Sequence, residues 1–168
     1  MRRLLGIVLA LAGGLLALHV AAASPCETRP PAQADNAAPW IADFDGDGRP
    51  DRLWLLPPGS RPGDRSMVSD PWRRARQPLD PDVLALVVDR GERCLLIQNR
   101  RFFATPIWEA GAPLLRVLAR GSSAARPWRS VARGWRGDGV LLGTEAGVEL
   151  LLYWDGRRPR IALGRDAP

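Results

Sequence analysis

Four carboxylates, Asp43, Asp45, Asp47 and Asp51, fall within nine consecutive positions, separated by Phe44, Gly46, Gly48, Arg49 and Pro50. Negative charges this dense repel one another unless a cation sits among them. Ca²⁺ takes roughly six to eight hard oxygen ligands, and a tight loop of alternating Asp residues supplies such oxygens. The spacing predicts side-chain oxygens from Asp43, Asp45 and Asp47, the backbone carbonyl of Arg49 next, and Asp51 closing the ring directly or through water. Gly46 and Gly48 let the backbone turn through positive φ, where a larger residue would clash. The competing reading is a solvated acidic turn without metal, and the density of Asp favours the cation. Because all the ligands come from one loop, the expected role of Ca²⁺ is structural.

The first five ligand positions follow the spacing of an EF-hand loop, but the twelfth, where an EF-hand carries a bidentate Glu, is Trp54. The flanks Trp40-Ile41-Ala42 and Leu53-Trp54-Leu55-Leu56 are short apolar runs that favour strands. Pro39 and Pro57 bracket the unit and leave no room for long helices. A strand, a D-x-D-G-D-G-x-x-D loop and a second strand resemble the calcium loops of FG-GAP and VCBS-type repeat proteins. That resemblance covers residues 40–56. It implies a secreted or surface β-protein in which the ion staples a hairpin, with Asp43, Asp45, Asp47, Arg49 and Asp51 as the metal ligands. Such proteins are often propellers, but this chain has one loop and not a series, which argues against a complete propeller.

Residues 1–23 read as a secretory signal peptide. Arg2 and Arg3 form the basic start, residues 4–20 the apolar core, and Ala21-Ala22-Ala23 an A-x-A cleavage site. A retained membrane anchor is the other reading, and no stable membrane insertion is expected after cleavage. The expected location is periplasmic or secreted. The only two cysteines, Cys26 and Cys94, then meet an oxidising compartment and are expected to form a disulfide, with two buried thiols as the alternative. The chain carries 24 basic and 18 acidic residues, and no lysine. Its arginines are scattered, with small clusters at Arg73-Arg74-Ala75-Arg76, Arg100-Arg101 and Arg157-Arg158-Pro159-Arg160. A nucleic-acid binder would want one dense patch, so no nucleic-acid partner is expected.

Residues 24–38 are a Pro/Ala-rich, flexible lead-in, and 39–168 form a single β domain. Residues 57–81, rich in Pro, Arg, Ser, Gly and Asp, are expected to be a long loop or lid. Residues 83–88 are a continuous apolar run fit for a buried strand, returning after a turn at 89–92 through residues 93–97. Residues 102–108 offer another short strand, 113–119 a strand or brief helix, 122–127 a loop, and 128–135 no clean period. Residues 139–143, 148–154 and 158–163 form a meander, the last two joined at Asp155-Gly156. Pro159 cannot donate to a ladder, which places its strand at an edge. The fold class is all-β, with antiparallel hairpins forming a small sandwich or a partial propeller-like sheet.

The one histidine, His19, lies in the expected signal peptide. The mature chain therefore has no histidine for triad catalysis or zinc ligation. An enzyme would have to rely on carboxylates, such as Glu109, Glu145 or Glu149, in glycosidase-like hydrolysis. The cell-adhesion tripeptide Arg136-Gly137-Asp138 is common by chance and receives no role. Among the seven tryptophans, Trp72 and Trp135 are candidates for an exposed stacking platform. Trp40, Trp54, Trp108, Trp128 and Trp154 are expected in or near the core. The sequence thus points to a calcium-stabilised module that binds an unidentified protein or glycan partner, with Trp72, Arg73 and Arg74 as contacts. A carboxylate hydrolase is the alternative.

Overall fold

The computed structural model describes Cys26 and residues 39–56, 58–59, 67–91, 93–100, 115–143 and 149–164. The acidic loop joins β1 (Trp40–Ala42) to β2 (Asp51–Leu56) as an antiparallel hairpin, with Trp40 opposite Leu53 and Ala42 opposite Asp51. β2 pairs with β5 (Ala85–Asp89), and β5 turns back into β6 (Cys94–Ile97), both antiparallel. A second hairpin, β3 (Met67–Asp70) and β4 (Ala75–Pro78), completes a six-stranded sheet in the order β1-β2-β5-β6-β3-β4. Here β3 runs parallel to β6, with Ser69 opposite Ile97. The other sheet is an antiparallel set of four, β10-β9-β8-β7, built from β7 (Leu115–Leu118), β8 (Arg136–Gly143), β9 (Glu149–Trp154) and β10 (Pro159–Leu163). The protein is therefore an all-β sandwich of two sheets, as the turn-separated apolar runs predict.

Side chains alternate across a strand, so each sheet has two faces to satisfy. Leu53, Leu86, Val88 and Ile97 of the first sheet meet Val140, Leu142, Leu150 and Leu152 of the second in the central core, together with Phe44 from the acidic loop. The opposite face of the first sheet carries Trp54, Val68, Ala85, Val87 and Leu96, packed with Cys26. This double burial explains the unbroken apolar run of β5, whose five residues are all buried. The opposite face of the second sheet, with Leu141, Leu151, Tyr153 and Ala162, is covered by Trp128, Ala132 and Trp135. These covering residues come from two short 3₁₀ turns, Ser123–Ala125 and Pro127–Ser130, and the segment after them. A 3₁₀ turn has neither helical nor strand period, which is why 128–135 shows none.

Several expectations change. Residues 57–81 are not one long loop, because the β3–β4 hairpin lies inside them. Its anchors are the fully buried Val68 and the side chain of Asp70, whose Oδ1 accepts the Trp72 and Arg73 N–H groups at 3.0 Å each. Trp135 is no exposed platform. It is 4 % exposed and packs edge-on to Tyr153 with ring centres 6.4 Å apart. Residues 115–118 resolve the choice in that segment to a strand, and β10 lies at a sheet edge as Pro159 requires. The signal peptide, the lead-in apart from Cys26, the strand expected at 102–108 and the turn at 144–147 lie outside the described residues. Among the described residues, no helix is long and apolar enough to cross a membrane.

Cys26 and Cys94 are joined, with their Cα atoms 5.2 Å apart and 68 positions between them in sequence. Closing a loop of that length removes denatured-state entropy worth about 4 kcal/mol. We expect the Cys26→Ser, Cys94→Ser double variant to lose up to that amount in urea unfolding. A variant as stable as the wild type would show that the bridge constrains nothing. Val68→Ala should cost on the order of 2 kcal/mol by leaving a cavity under the β3–β4 hairpin. An unchanged urea midpoint would show the hairpin to be peripheral.

Candidate metal centre

The loop between β1 and β2 brings Asp43, Asp45 and Asp51 together, with one carboxylate oxygen of each lying within 4.8 Å of the others. Asp45 and Asp51 are buried. The backbone of the loop orients these groups. The N–H groups of Gly46 and Gly48 donate to Asp43 at 2.9 and 3.2 Å, that of Asp47 to Asp45 at 3.1 Å, and that of Phe44 to Asp51 at 3.0 Å. Gly46 and Gly48 both take positive φ, 77° and 84°. Asp47 is exposed and lies outside the three-carboxylate cluster, its Oδ1 accepting the Arg49 N–H at 2.8 Å. Asp47 and Arg49 thus share the loop with the cluster, and Asp47 fixes its far turn.

Residues from elsewhere in the chain complete the site. Arg90, in the turn after β5, forms an ion pair through a guanidinium nitrogen with Asp45 Oδ2. The same guanidinium lies 5.3 Å from the centre of the Trp154 ring, which in turn packs against Phe44 at 6.4 Å. Asp138, in β8, accepts the Asp43 N–H at 3.2 Å and donates its own N–H to the Asp43 carbonyl at 2.6 Å. Its other oxygen accepts the Arg120 N–H at 3.1 Å. Gly137, at φ 61°, lets the loop approach, since a Cβ there would stand 2.2 Å from the Asp43 carbonyl oxygen. The ladder between β8 and β9 shifts register between Arg136 and Val140, where the loop docks. The acidic loop is therefore bonded to the second sheet as well as to its own.

The electrostatics decide what the cluster can do. Each pair of carboxylates at this range repels by on the order of 3 kcal/mol at an effective dielectric near 20. Three carboxylates and one guanidinium, −3 + 1, leave a formal charge of −2. One divalent cation balances that charge, and the hard oxygens suit one. The cluster could hold a metal ion, with Asp43, Asp45 and Asp51 as its carboxylate ligands. Without one, the strain falls on Asp51, whose carboxyl is pushed up from 3.8 to about 6. Burial is the main cause, and the charges of Asp45 and Asp47 add to it against the Phe44 N–H and Arg90.

The loop is legible in the sequence and its supports are not. Asp138 was visible only as part of a chance tripeptide, and Arg90 only as a turn residue. The glycine beside Asp138 was the one available signal, and a local pattern cannot say what approaches it.

A second site lies at the turn of the β3–β4 hairpin. A cleft of about 430 Å³ is lined by Asp70, Trp72, Arg73, Asp80, Gln98 and Asn99, among others. Its polar groups are pre-set. Asp70 Oδ1 also accepts from Asn99 Nδ2 at 2.8 Å, and Gln98 bonds the Asp80 N–H and the Asp80 and Val83 carbonyls at 2.8–2.9 Å. Asp80 Oδ2 holds Arg100 at 2.7 Å. Trp72, Arg73 and Arg74 are exposed together on the turn. Glu149 is ion-paired with Arg116 at 2.6 Å on the surface, while Glu109 and Glu145 lie outside the described residues. Comparison with known proteins finds no matching family model, no matching curated protein and no matching solved structure. The functional reading therefore rests on the chain's own geometry.

Two measurements test the metal centre. A carboxyl raised in the folded state holds its proton more tightly folded than unfolded. The stability it contributes is present below about pH 4 and is lost as pH rises through 6. In chelator, Asp51→Asn should gain on the wild type by on the order of 2 kcal/mol between pH 4 and pH 7. With a divalent cation at pH 7 the ranking should reverse. Parallel curves at both ends of the range would remove Asp51 from the site. Gly137→Ala should destabilise the protein with or without metal, because it displaces the loop from β8. A melting temperature within error of the wild type would show that the loop does not depend on this contact.

Proposed function

We propose that this protein is a periplasmic or secreted, calcium-stabilised β-domain that binds a protein or glycan partner and does not catalyse a reaction. The disulfide fits a protein outside the cytoplasm, and the apolar leader with its A-x-A site supports export. Calcium is the metal favoured by the all-oxygen donor set, the residual charge of −2 and the tight glycine turns of the loop. The resemblance to FG-GAP and VCBS-type loops supports the same ion.

The observation that carries the binding role is Trp72, 40 % exposed at the tip of a hairpin and flanked by exposed Arg73 and Arg74. An aromatic ring with arginines beside it offers contact area and charge in one place, the composition of interface anchors. The hairpin below it is braced by Asp70 and Val68, so the contact surface is held before a partner arrives. The second reading, a glycosidase-like carboxylate hydrolase, draws on Asp70 and Asp80 lining the same cleft. Both carboxylates already hold N–H donors in place. That arrangement suits fixed recognition better than proton transfer.

Calcium at about a hundred times its dissociation constant should stabilise the domain by about 2.7 kcal/mol. Asp45→Ala should abolish most of that gain. Equal thermal melts in calcium and in chelator would refute the metal assignment. Trp72→Ala should keep the wild-type melting temperature and lose binding on arrays of glycans and peptides. Binding that survives Trp72→Ala would move the contact surface elsewhere, and turnover of a glycan that Asp80→Asn abolishes would establish the hydrolase.

A further inference from the structure

Two arginine clusters that are far apart in sequence share one surface. The β3–β4 turn carries Arg73, Arg74 and Arg76, and the β9–β10 turn and the strand after it carry Arg157, Arg158 and Arg160. The tips touch, with an Arg158 guanidinium nitrogen donating to the Arg74 carbonyl at 3.3 Å. Over residues 71–78 and 155–163 there are six arginines and one acid, 6 − 1 = +5. That acid, Asp155, is paired with Arg160 at 3.5 Å. Arg74 stands at φ 58°, the one non-glycine residue at positive φ among the described residues. Strained backbone of this kind gathers at functional surfaces.

Between the two tips lies a cleft of about 320 Å³ lined by Pro71, Trp72, Arg74, Arg160, Ile161 and Leu163. Trp72 and Leu163, at 40 % and 45 % exposure, are two of the three most exposed large apolar side chains among the described residues. One wall of the cleft is β10, which lies at a sheet edge and pairs only with β9 among the described residues. We propose that this face docks an extended acidic segment of a partner protein, one apolar side chain of which seats between Trp72 and Leu163. The proposal rests on the binding-module reading and specifies the partner's chemistry.

The lining chooses among anionic partners. Among the described residues, its side chains offer arginine N–H donors and apolar surface, with no carboxylate or amide acceptor. A sugar hydroxyl both donates and accepts, whereas a carboxylate only accepts, so the site suits an acidic peptide better than a glycan. Among the described residues β10 pairs only with β9, so its other edge offers backbone N–H and C=O groups to an extended chain, which a lipid headgroup cannot use in register. Arginine on both sides of the cleft matches carboxylates on both sides of the anchor.

The test uses purified, calcium-loaded protein and isothermal titration at two salt concentrations. The probes are an Asp/Glu-rich decapeptide with one central leucine, the same peptide with serine in place of leucine, polygalacturonate, and phosphatidylglycerol vesicles. The leucine peptide should bind at least about tenfold more tightly than the serine peptide or polygalacturonate. Its affinity should fall as salt rises. Trp72→Ala and Arg157→Glu should each weaken it about tenfold with melting temperatures unchanged. The exposed Arg157 serves here because altering Arg74 could disturb its turn. Equal binding of the two peptides, or no effect of Trp72→Ala, would overturn the proposal. Tighter binding to polygalacturonate or vesicles would overturn it too, and polygalacturonate bound through Trp72 would leave the binding-module reading standing. Failure to bind any probe would overturn it as well, while the binding-module reading stands or falls on the arrays of glycans and peptides. The calcium assignment is read separately from the melting curves.

Discussion

The carboxylates of Asp43, Asp45 and Asp51 repel one another at the point where their loop is hydrogen-bonded to the second sheet through Asp138. These carboxylates sit at the seam, where Phe44 enters the shared core beside Leu53 and Leu152. Fully burying one leucine contributes roughly 1.5–3 kcal/mol. A single unscreened carboxylate pair can cancel that gain. The protein meets the problem with graded answers. Backbone N–H groups of the loop spread the charge, Arg90 neutralises part of it, and a divalent cation would balance the remainder. Because Asp43 is also hydrogen-bonded to Asp138 of the second sheet, whatever relaxes the loop is felt in both sheets.

Much of this was legible in the residues. The Asp and Gly spacing revealed the β1–β2 hairpin. The apolar runs around residue 90 gave β5 and β6, and Asp155-Gly156 gave the β9–β10 turn. Each of these is a local signal, a period or a turn residue. The isolated cysteine pair identified the bridge. What stayed hidden was non-local. β3 pairs with β4 as a local hairpin and joins the rest of the sheet by a parallel bridge to β6, Ser69 opposite Ile97, nearly thirty positions away. Composition in that segment favoured a loop because arginine and proline outnumber apolar residues there. Trp135 lost its expected exposure to the 3₁₀ segment that folds over Leu151 and Tyr153. No periodicity announces such a cover.

The same distinction applies to charge. Read along the chain, the arginines form small groups separated by dozens of residues, and a scattered basic composition was the natural conclusion. The sandwich brings two of the three groups to adjoining hairpin tips and leaves few acids beside them. Of the third group, Arg100 is ion-paired with Asp80 and lines the cleft that also holds Trp72 and Arg73. Surface character is thus a property of topology in this protein. A residue census predicts it only where neighbours in sequence remain neighbours in space.

The bond between Asp43 and Asp138 spans 95 positions. A chain that crosses a membrane N-terminus first delivers the loop well ahead of the strand that holds it. Through that interval the acidic loop has neither Asp138 to hold it nor Trp154 to pack beneath Arg90, and its carboxylates stay hydrated. Loops closed over such distances form late, since their entropy must be lost before the contact returns anything. The seam is therefore among the last parts of the molecule to close, although its loop is among the first to be made.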